Sequence, residues 1–469
     1  MHKIMEKWLT KSENYTSEYC CTLVKIGEVK DIEGSDFLGV TLVEGREIVV
    51  RKDQVKEGDE MFYVANECQL NQDFLSINNL FEDKTLNTNP EIKGYFNKYG
   101  RVRMVKLRGK LSMGFLFGFD ELQKWCPKVQ LDIQVGEDFD TVGGELFVKA
   151  YMPPVKEHHT GTGEPKRNKK LVKFDRMIPG QFSFHYDTQQ LQRNMYRLIP
   201  DQSVTISVKL HGTSFICGNI LVKKPKWGGL YSKLFNKLPS WLQFTNSDYD
   251  IIYSSRTVIK NQYINDKVSS GYYNTDIWGE YAKILRKYIP RDIIIYGEIV
   301  GYLSEGNQMI QKGYDYGCMP GQNQLMIYRI VKNTPEGKKE YNVMDVRNYT
   351  IGLIEIMKAN EDQNYKKLRP IDVLYVGKLS DLYPQLNVEN HWQENLLEEL
   401  KNDSEHFGME QDEPLCRNKV PREGIVLRID DDIINEAFKL KTLKFLGKEA
   451  KEMDKGEVND IEMEEKYGA

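Results

Sequence analysis

In the segment SVTISVKLH, residues 203–211, Val204, Ile206, Val208 and Leu210 are apolar, and Thr205, Ser207, Lys209 and His211 between them are polar. A period of two sustained over this length dictates a half-buried strand. It places Lys209 and His211 on one face. Gly212 follows, where the backbone can turn or come close to a ligand. A lysine and a histidine at the end of such a strand are either the polar edge of an ordinary sheet or a reactive pair at the mouth of a site. Other segments of the chain decide between the two.

The chain has 469 residues, too many for one typical core, so two or three domains are expected. Its formal charge of −4 carries no global nucleic-acid signature, so any basic site is local. Seven cysteines, an odd number, are widely spread, with no CxxC pair and no Cys/His cluster at metal-ligand spacing. This suggests neither a zinc site nor a disulfide framework, and favours a cytoplasmic or other reducing intracellular compartment. No apolar run is long enough to span a membrane.

To about residue 120 the sequence reads as short strands with glycine turns: CCTLVKIGEV, FLGVTLVEGREIVV and EMFYVANECQL. This spacing suggests a small barrel or sandwich. It closes with YFNKYGRVRMVKLRGKLSMGF, where Arg101, Arg103, Lys106, Arg108 and Lys110 lie beside Tyr95, Phe96 and Tyr99. Basic residues mixed with aromatics suit a nucleic-acid-binding OB-type barrel; a solvated, charge-protected strand edge has the same composition. From Lys156 to Arg176 there are seven Lys/Arg against three Asp/Glu, in a flexible linker or phosphate-facing loop. Beyond it, SVTISVKL, DIIIYGEIVGY, NQLMIYRIV and EGIVLRID read as strands. WGEYAKILRKY and HWQENLLEEL read as amphipathic helices, with Trp278, Tyr281, Leu285 and Tyr288 on one face and Trp392, Leu396 and Leu400 on the other's. The class is α+β. The segment from Lys448 to Lys466, with eight acidic residues and four lysines, reads as a polar helix or a frayed end.

Four segments bear on Lys209. YSSRTVIK offers Arg256. In IIIYGEIVGY an apolar run ends at Glu298, flanked by Gly297 and Gly301, which suits a metal or ribose contact or an exposed strand end. In PREGIVLRI, Glu423 alternates in phase with Ile425, Leu427 and Ile429, so its carboxylate lies on the apolar face and needs a cation or a metal. In AFKLKTLKFL, Lys439 and Lys441 face away from Phe438 and Leu440. Two ammonium groups so placed repel unless an anion sits between them, and a triphosphate is such an anion.

KLHGTS, SSR, YGEIVG, EGIVLR and FKLK, in this order, resemble the motifs of the covalent nucleotidyltransferases shared by ATP-dependent ligases and mRNA capping enzymes. The histidine of KLHG looks like RNA ligases. YGEIVGY followed by IQKGYDYGC, with IPGQFSFHYDT upstream, is similar to the ATP-dependent RNA ligases that carry an N-terminal OB domain. The resemblance spans about residues 20 to 446. It implies an OB-type nucleic-acid-binding β-barrel over 1–125, a connecting segment with a basic loop over 126–176, and an adenylyltransferase domain of antiparallel sheets flanked by helices over 177–469.

The resemblance further implies that Lys209 attacks the α-phosphate of ATP and holds AMP, with His211 beside the reaction centre. Arg256 lies near the ribose and the RNA phosphates, and Glu298 near the ribose and metal waters. Glu423 places the catalytic Mg²⁺ or Mn²⁺, Lys439 and Lys441 grip the phosphates, and Tyr328 stacks on adenine. The implied partner is RNA, and the implied state a monomer. The rivals are a GTP-dependent capping-type guanylyltransferase and a non-catalytic OB-fold RNA-binding protein. Residues 222–250, rich in lysine and aromatics, widen the gap between Lys209 and Arg256; they are an inserted packed element or a surface touching nucleic acid.

Overall fold

A computed structural model of the chain describes residues 7–153, 174–185, 188–262, 275–388, 391–430 and 436–455. Most of the basic stretch 156–176 and the end of the acidic tail lie outside the described residues. No helix among the described residues is long and apolar enough to cross a membrane. All seven cysteines are free thiols.

The N-terminal module contains the strands β1 (Cys21–Lys25), β2 (Leu38–Val43), β3 (Arg46–Arg51), β4 (Glu60–Ala65), β5 (Gly114–Phe117) and β6 (Asp138–Phe139). Four of them form an antiparallel sheet in the order β5-β4-β1-β6, and β2 and β3 form a hairpin beside it. The buried rings of Phe62, Phe74, Phe117, Phe139 and Phe147 fill the core, meeting edge-on or offset at 5.0–6.0 Å. The strand pairing carries this module past residue 125, since Asp138 and Phe139 pair with Thr22 and Cys21.

The basic and aromatic cluster near residue 100 divides. Arg101 and Phe96 are buried, so they are not part of a nucleic-acid surface. Arg101 bonds Glu67 at 2.8 Å and Asp454 at 2.7 Å, which ties the module to the far end of the chain. Lys106, Arg108 and Lys110 are exposed.

The larger module contains β7 (Gln189–Gln190), β8 (Ser203–Lys209), β9 (Thr213–Pro225), β10 (Thr245–Ser254), β11 (Ile293–Gly301), β12 (Asn323–Thr334), β13 (Gly337–Glu340), β14 (Val373–Lys378), β15 (Gly424–Ile429) and β16 (Ala437–Lys441). One sheet runs β7-β16-β15-β8-β14 and the other β10-β9-β11-β12-β13. Pairing within these paths is antiparallel except between β7 and β16.

Helices α1 (Ile277–Leu285) and α2 (Val343–Ala359) cover the second sheet. Helix α1 starts where the Asp276 carboxylate accepts the Gly279 N–H, and it buries Trp278, Tyr281 and Leu285. Tyr288 lies just past its end, partly buried against the same core. Helix α3 (Trp392–Asn402) buries Trp392, Leu396 and Leu400 against Ile206, Leu427 and Phe438 of the first sheet. Helix α4 (Leu443–Asp454) follows β16 directly, its first turn capped by Thr442. The fold is α+β, and its two large sheets meet where β8 passes into β9 through Leu210–Gly212.

Candidate active site

The strand β8 is not half-buried as its alternation suggests. Flanked by β15 and β14, it buries Thr205 and Ser207 as well as Val204, Ile206 and Val208. It ends at the partly buried Lys209, so His211 lies beyond the strand. The neighbouring register builds the rest. Lys209 pairs with Gly424 on β15, and Gly424 pairs with Lys441 on β16. Lys439 pairs with Val426, one step along the same face. Phe438 and Leu440 turn into the core, as the alternation requires. Gly424 has φ +152°, and a Cβ there would stand 2.0 Å from the Leu440 carbonyl oxygen. Only glycine therefore lets the strands bring Lys209 and Lys441 to one level.

Gly212 solves a similar problem on the other sheet. A Cβ there would meet the Ile299 carbonyl oxygen at 2.4 Å and Glu298 Cγ at 2.8 Å. The bare backbone instead donates its N–H to Glu298 Oε1 at 3.1 Å. Gln311 donates to the Gly212 carbonyl at 2.8 Å. The Leu210–Gly212 link after Lys209 is thus the seam that brings a carboxylate of β11 and the lysine of β8 to one cavity.

All eight residues singled out from the sequence line one cavity of about 280 Å³: Lys209, His211, Arg256, Glu298, Tyr328, Glu423, Lys439 and Lys441. Lys209 donates to Glu423 Oε1 at 2.6 Å, and Lys441 lies 3.9 Å from the same oxygen. Glu423 is buried and its other oxygen, Oε2, has no hydrogen-bond partner; His211 Nδ1 lies 4.0 Å from it. Burial pushes the His211 imidazole well below its ordinary pKa, and Lys448, Lys209 and Lys441 add to this against the opposing Glu449. The ring is therefore neutral near pH 7, wedged edge-on between Tyr314 and Phe445 at 4.9 and 5.0 Å.

The anion expected between Lys439 and Lys441 is supplied by protein carboxylates. Lys439 bonds Glu18 at 2.5 Å and Lys441 bonds Glu449 at 3.1 Å. Each of the three lysines thus has its own carboxylate. Burial alone would raise the Glu18 carboxyl, but Lys439 overcomes this and holds it at about 2. Burial depresses Lys439, with Glu18 opposing. Tyr328 is half-buried on β12, its ring 5.5 Å from His185. Among the described residues no three His, Cys, Asp or Glu side chains cluster as a metal cage.

Sequence reasoning missed Glu18, Glu449 and Arg428. Glu18 and Tyr19 come from the N-terminal module and reach the cavity only through the packing of the two modules. Glu449 sits in the segment read as a polar tail; the periodicity of α4 was its one available signal. Arg428 lies within EGIVLR, buried and bonded to Glu340 at 2.9 Å.

A family model described as an OB-fold domain matches residues 20–119. No curated protein matches the chain. Among solved structures, an RNA ligase mutant of Naegleria gruberi with AMP and Mn is 16% identical, covering 91% of this chain and 98% of that one at a TM-score of 0.51. Another mutant of that ligase, with ATP and Mn, has 16% identity, the same coverage and a TM-score of 0.52. The ligase with pyrophosphate has 15% identity, covering 92% and 99%, at 0.51. The chain therefore shares the fold of that ligase over nearly its whole length, with an OB-fold domain at the N-terminal end.

Proposed function

We propose that this chain is an ATP-dependent RNA ligase that joins a 3′-hydroxyl to a 5′-phosphate through AMP carried on Lys209, in the repair of RNA breaks. The observation that carries the reading is the convergence of Lys209, Lys439 and Lys441 on one cavity, each matched by a carboxylate. An arrangement of this kind can exchange one anion for another without uncovering a buried charge. The likeness in fold to a ligase with bound ATP, AMP and pyrophosphate supports the same reading.

Three steps follow. Lys209 Nζ attacks the α-phosphorus of ATP. The bond to the bridging oxygen breaks, and pyrophosphate leaves with that oxygen. The 5′-phosphate of RNA then takes AMP from Lys209, and the 3′-hydroxyl of the second end displaces AMP. A free lysine has a pKa of about 10.4, so it must lose a proton before it attacks. Glu423 already accepts its hydrogen bond and holds the amine at the strand end. Lys439 and Lys441, released from Glu18 and Glu449, neutralise the phosphates, and Arg256 and Tyr328 orient the nucleoside. Transfer of this kind needs mainly positioning and charge neutralisation.

The residues also fit a divalent cation. The buried, unbonded Oε2 of Glu423 would hold one, with Glu298 reaching it through water. Mg²⁺ or Mn²⁺ so held supplies Lewis-acid stabilisation of charge on the phosphates.

The test separates the steps. Wild-type protein with ATP is expected to seal nicked duplex RNA, and Lys209→Ala to fail. The same variant is expected to seal RNA that is already adenylylated, because that step makes no new bond to the lysine. If Lys209→Ala seals neither, the role given to Lys209 is wrong.

A further inference from the structure

The hairpin of β9 and β10 begins at the cavity and ends far from it. Thr213 follows Gly212, Ser254 lies two residues before Arg256, and the pairing runs unbroken from Ile216–Ser254 out to Pro225–Thr245. At about 3.3 Å per residue, twelve steps carry the far end roughly 40 Å from the site. There the chain builds a small lobe over residues 226–244, with the short helix Gly229–Leu234 and 3₁₀ turns at Phe235–Lys237 and Ser240–Leu242.

The lobe is a folded unit. Phe235 is fully buried against Phe174, with ring centroids 4.8 Å apart. Tyr231 donates to the Leu242 carbonyl at 2.7 Å and accepts the Phe244 N–H at 2.7 Å. Gln243 donates to the carbonyls of Phe235 and Leu238 at 3.1 and 3.0 Å. This framework holds large apolar side chains outward instead of burying them. Trp241 is 71% exposed and Leu230 72%, with Trp227 and Phe244 about half exposed. A folded unit that keeps two tryptophans in water presents a contact surface.

Its charge says what the contact is. From Val222 to Ser247 the chain has five lysines and no acidic residue. Lys224 pairs with Asp248 at 2.9 Å; among the described residues no ion pair joins Lys223, Lys226, Lys233 or Lys237 to a carboxylate. Lys226 lies over the Trp227 ring at 5.3 Å. Exposed indole faces interleaved with unmatched ammonium groups fit a strand that offers both bases and phosphates. One continuous hairpin joins this surface to the cavity.

We propose that the lobe, with the hairpin end that carries it (residues 222–247), is a second RNA-docking surface, which takes the substrate at a distance from the break while the cavity takes its end. This rests on the RNA-ligase reading for its substrate class. The experiment compares wild type with Trp227→Ala/Trp241→Ala and with Lys226→Ala/Lys233→Ala/Lys237→Ala. Each is titrated with fluorescein-labelled nicked duplex RNA over a range of salt. One duplex is long enough to reach the lobe, and one is too short.

On the long duplex the tryptophan pair is expected to lower affinity by about tenfold or more. The lysine triple is expected to reduce the salt slope by about one for each phosphate that is no longer neutralised. On the short duplex the variants should match wild type, and all should take label from ATP equally. Thermal melts at the wild-type midpoint confirm that both variants fold. Unchanged affinity for the long duplex overturns the proposal. So does unchanged RNA affinity with loss of flotation on phosphatidylserine vesicles, which would assign the lobe to a membrane surface. If wild type takes no label from ATP, the ligase reading fails, and the comparison of RNA affinities still decides the lobe.

Discussion

The lysines of the cavity and those of the lobe are the same residue type in opposite settings, at the two ends of one hairpin. In the cavity, Lys209, Lys439 and Lys441 are largely buried, and each has a carboxylate within 3.1 Å. On the lobe and the hairpin end that carries it only Lys224 of five is so matched among the described residues. A buried ammonium must be paired or it forces the fold apart. An exposed one is satisfied by water and mobile ions. The contrast teaches how each end must work. Binding in the cavity exchanges a fixed carboxylate for a phosphate, which is chemically selective. Binding at the lobe releases counterions, which makes it weakly selective and salt-dependent.

The contrast can be broken by removing one carboxylate at a time. Glu423→Ala leaves Lys209 without its partner, and loss of one member of a buried pair costs about 3–5 kcal/mol. Chemical denaturation is expected to show that loss, together with loss of AMP label. Lys226→Ala on the lobe, by comparison, should stay within about 0.5 kcal/mol of wild type. A Glu423→Ala protein as stable as wild type would mean that the cavity pairs are not needed.

Glu18→Gln sharpens the point, because it removes a charge from Lys439 yet leaves a side chain of the same size. The glutamine oxygen can still accept from Lys439, so only the charge of the acceptor is lost. Stability is expected to fall by less than the roughly 1.5–3 kcal/mol of a whole hydrogen bond to a charged group. The KM for ATP should fall at the same time, since no carboxylate then competes with phosphate. If stability and KM both worsen, Glu18 holds Lys439 in place and does not compete.

The smallest effect is set by pH. Burial, then Arg329, Arg256, Arg428 and Lys209, push the His185 imidazole well below its ordinary value. The unfolded chain therefore binds the proton that the folded one refuses, and His185 destabilises the fold as pH falls below about 6.5. The Glu18 carboxyl, held at about 2, contributes stability that is full above its unfolded value near 4.5 and lost as pH falls toward 2. His185→Asn is expected to reduce the decline in melting temperature between pH 7 and pH 5, with the likewise depressed His211 keeping the rest, and to leave the decline below pH 4.5 in place. An unchanged slope from 7 to 5 would show that His185 is not held neutral.

Much of the cavity was legible because period-two alternation fixes which side chains share a face. Lys209, Lys439 and Lys441 were each placed by their apolar neighbours alone. Glu423 was not: the alternation puts it on the face of Ile425 and Leu427, which is the core face, but it lies just before β15 and meets Lys209. The sequence suggests a strand end at Glu298, but the residue lies inside β11, paired with Ser214 on β9 and Met326 on β12, because its flanking glycines do not stop the ladder. The need for Gly212 at Ile299 is a cross-strand contact that no local pattern encodes. Glu18 was invisible for a stronger reason: it lies more than 400 residues from Lys439 and belongs to the other module. Arg101 misled because an arginine beside aromatics has the same composition whether it meets nucleic acid or, as here, is itself buried against Glu67 and Asp454.

The central claim is that Lys209 carries a nucleotide, and transfer of label tests it most directly. Purified protein is incubated with Mg²⁺ and α-labelled ATP or GTP, treated beforehand with pyrophosphate to strip any bound AMP, and resolved on a denaturing gel beside Lys209→Ala. The account predicts label from ATP, none from GTP, and none in the variant. Label from GTP, label that survives in Lys209→Ala, or none from either nucleotide on folded protein would contradict it.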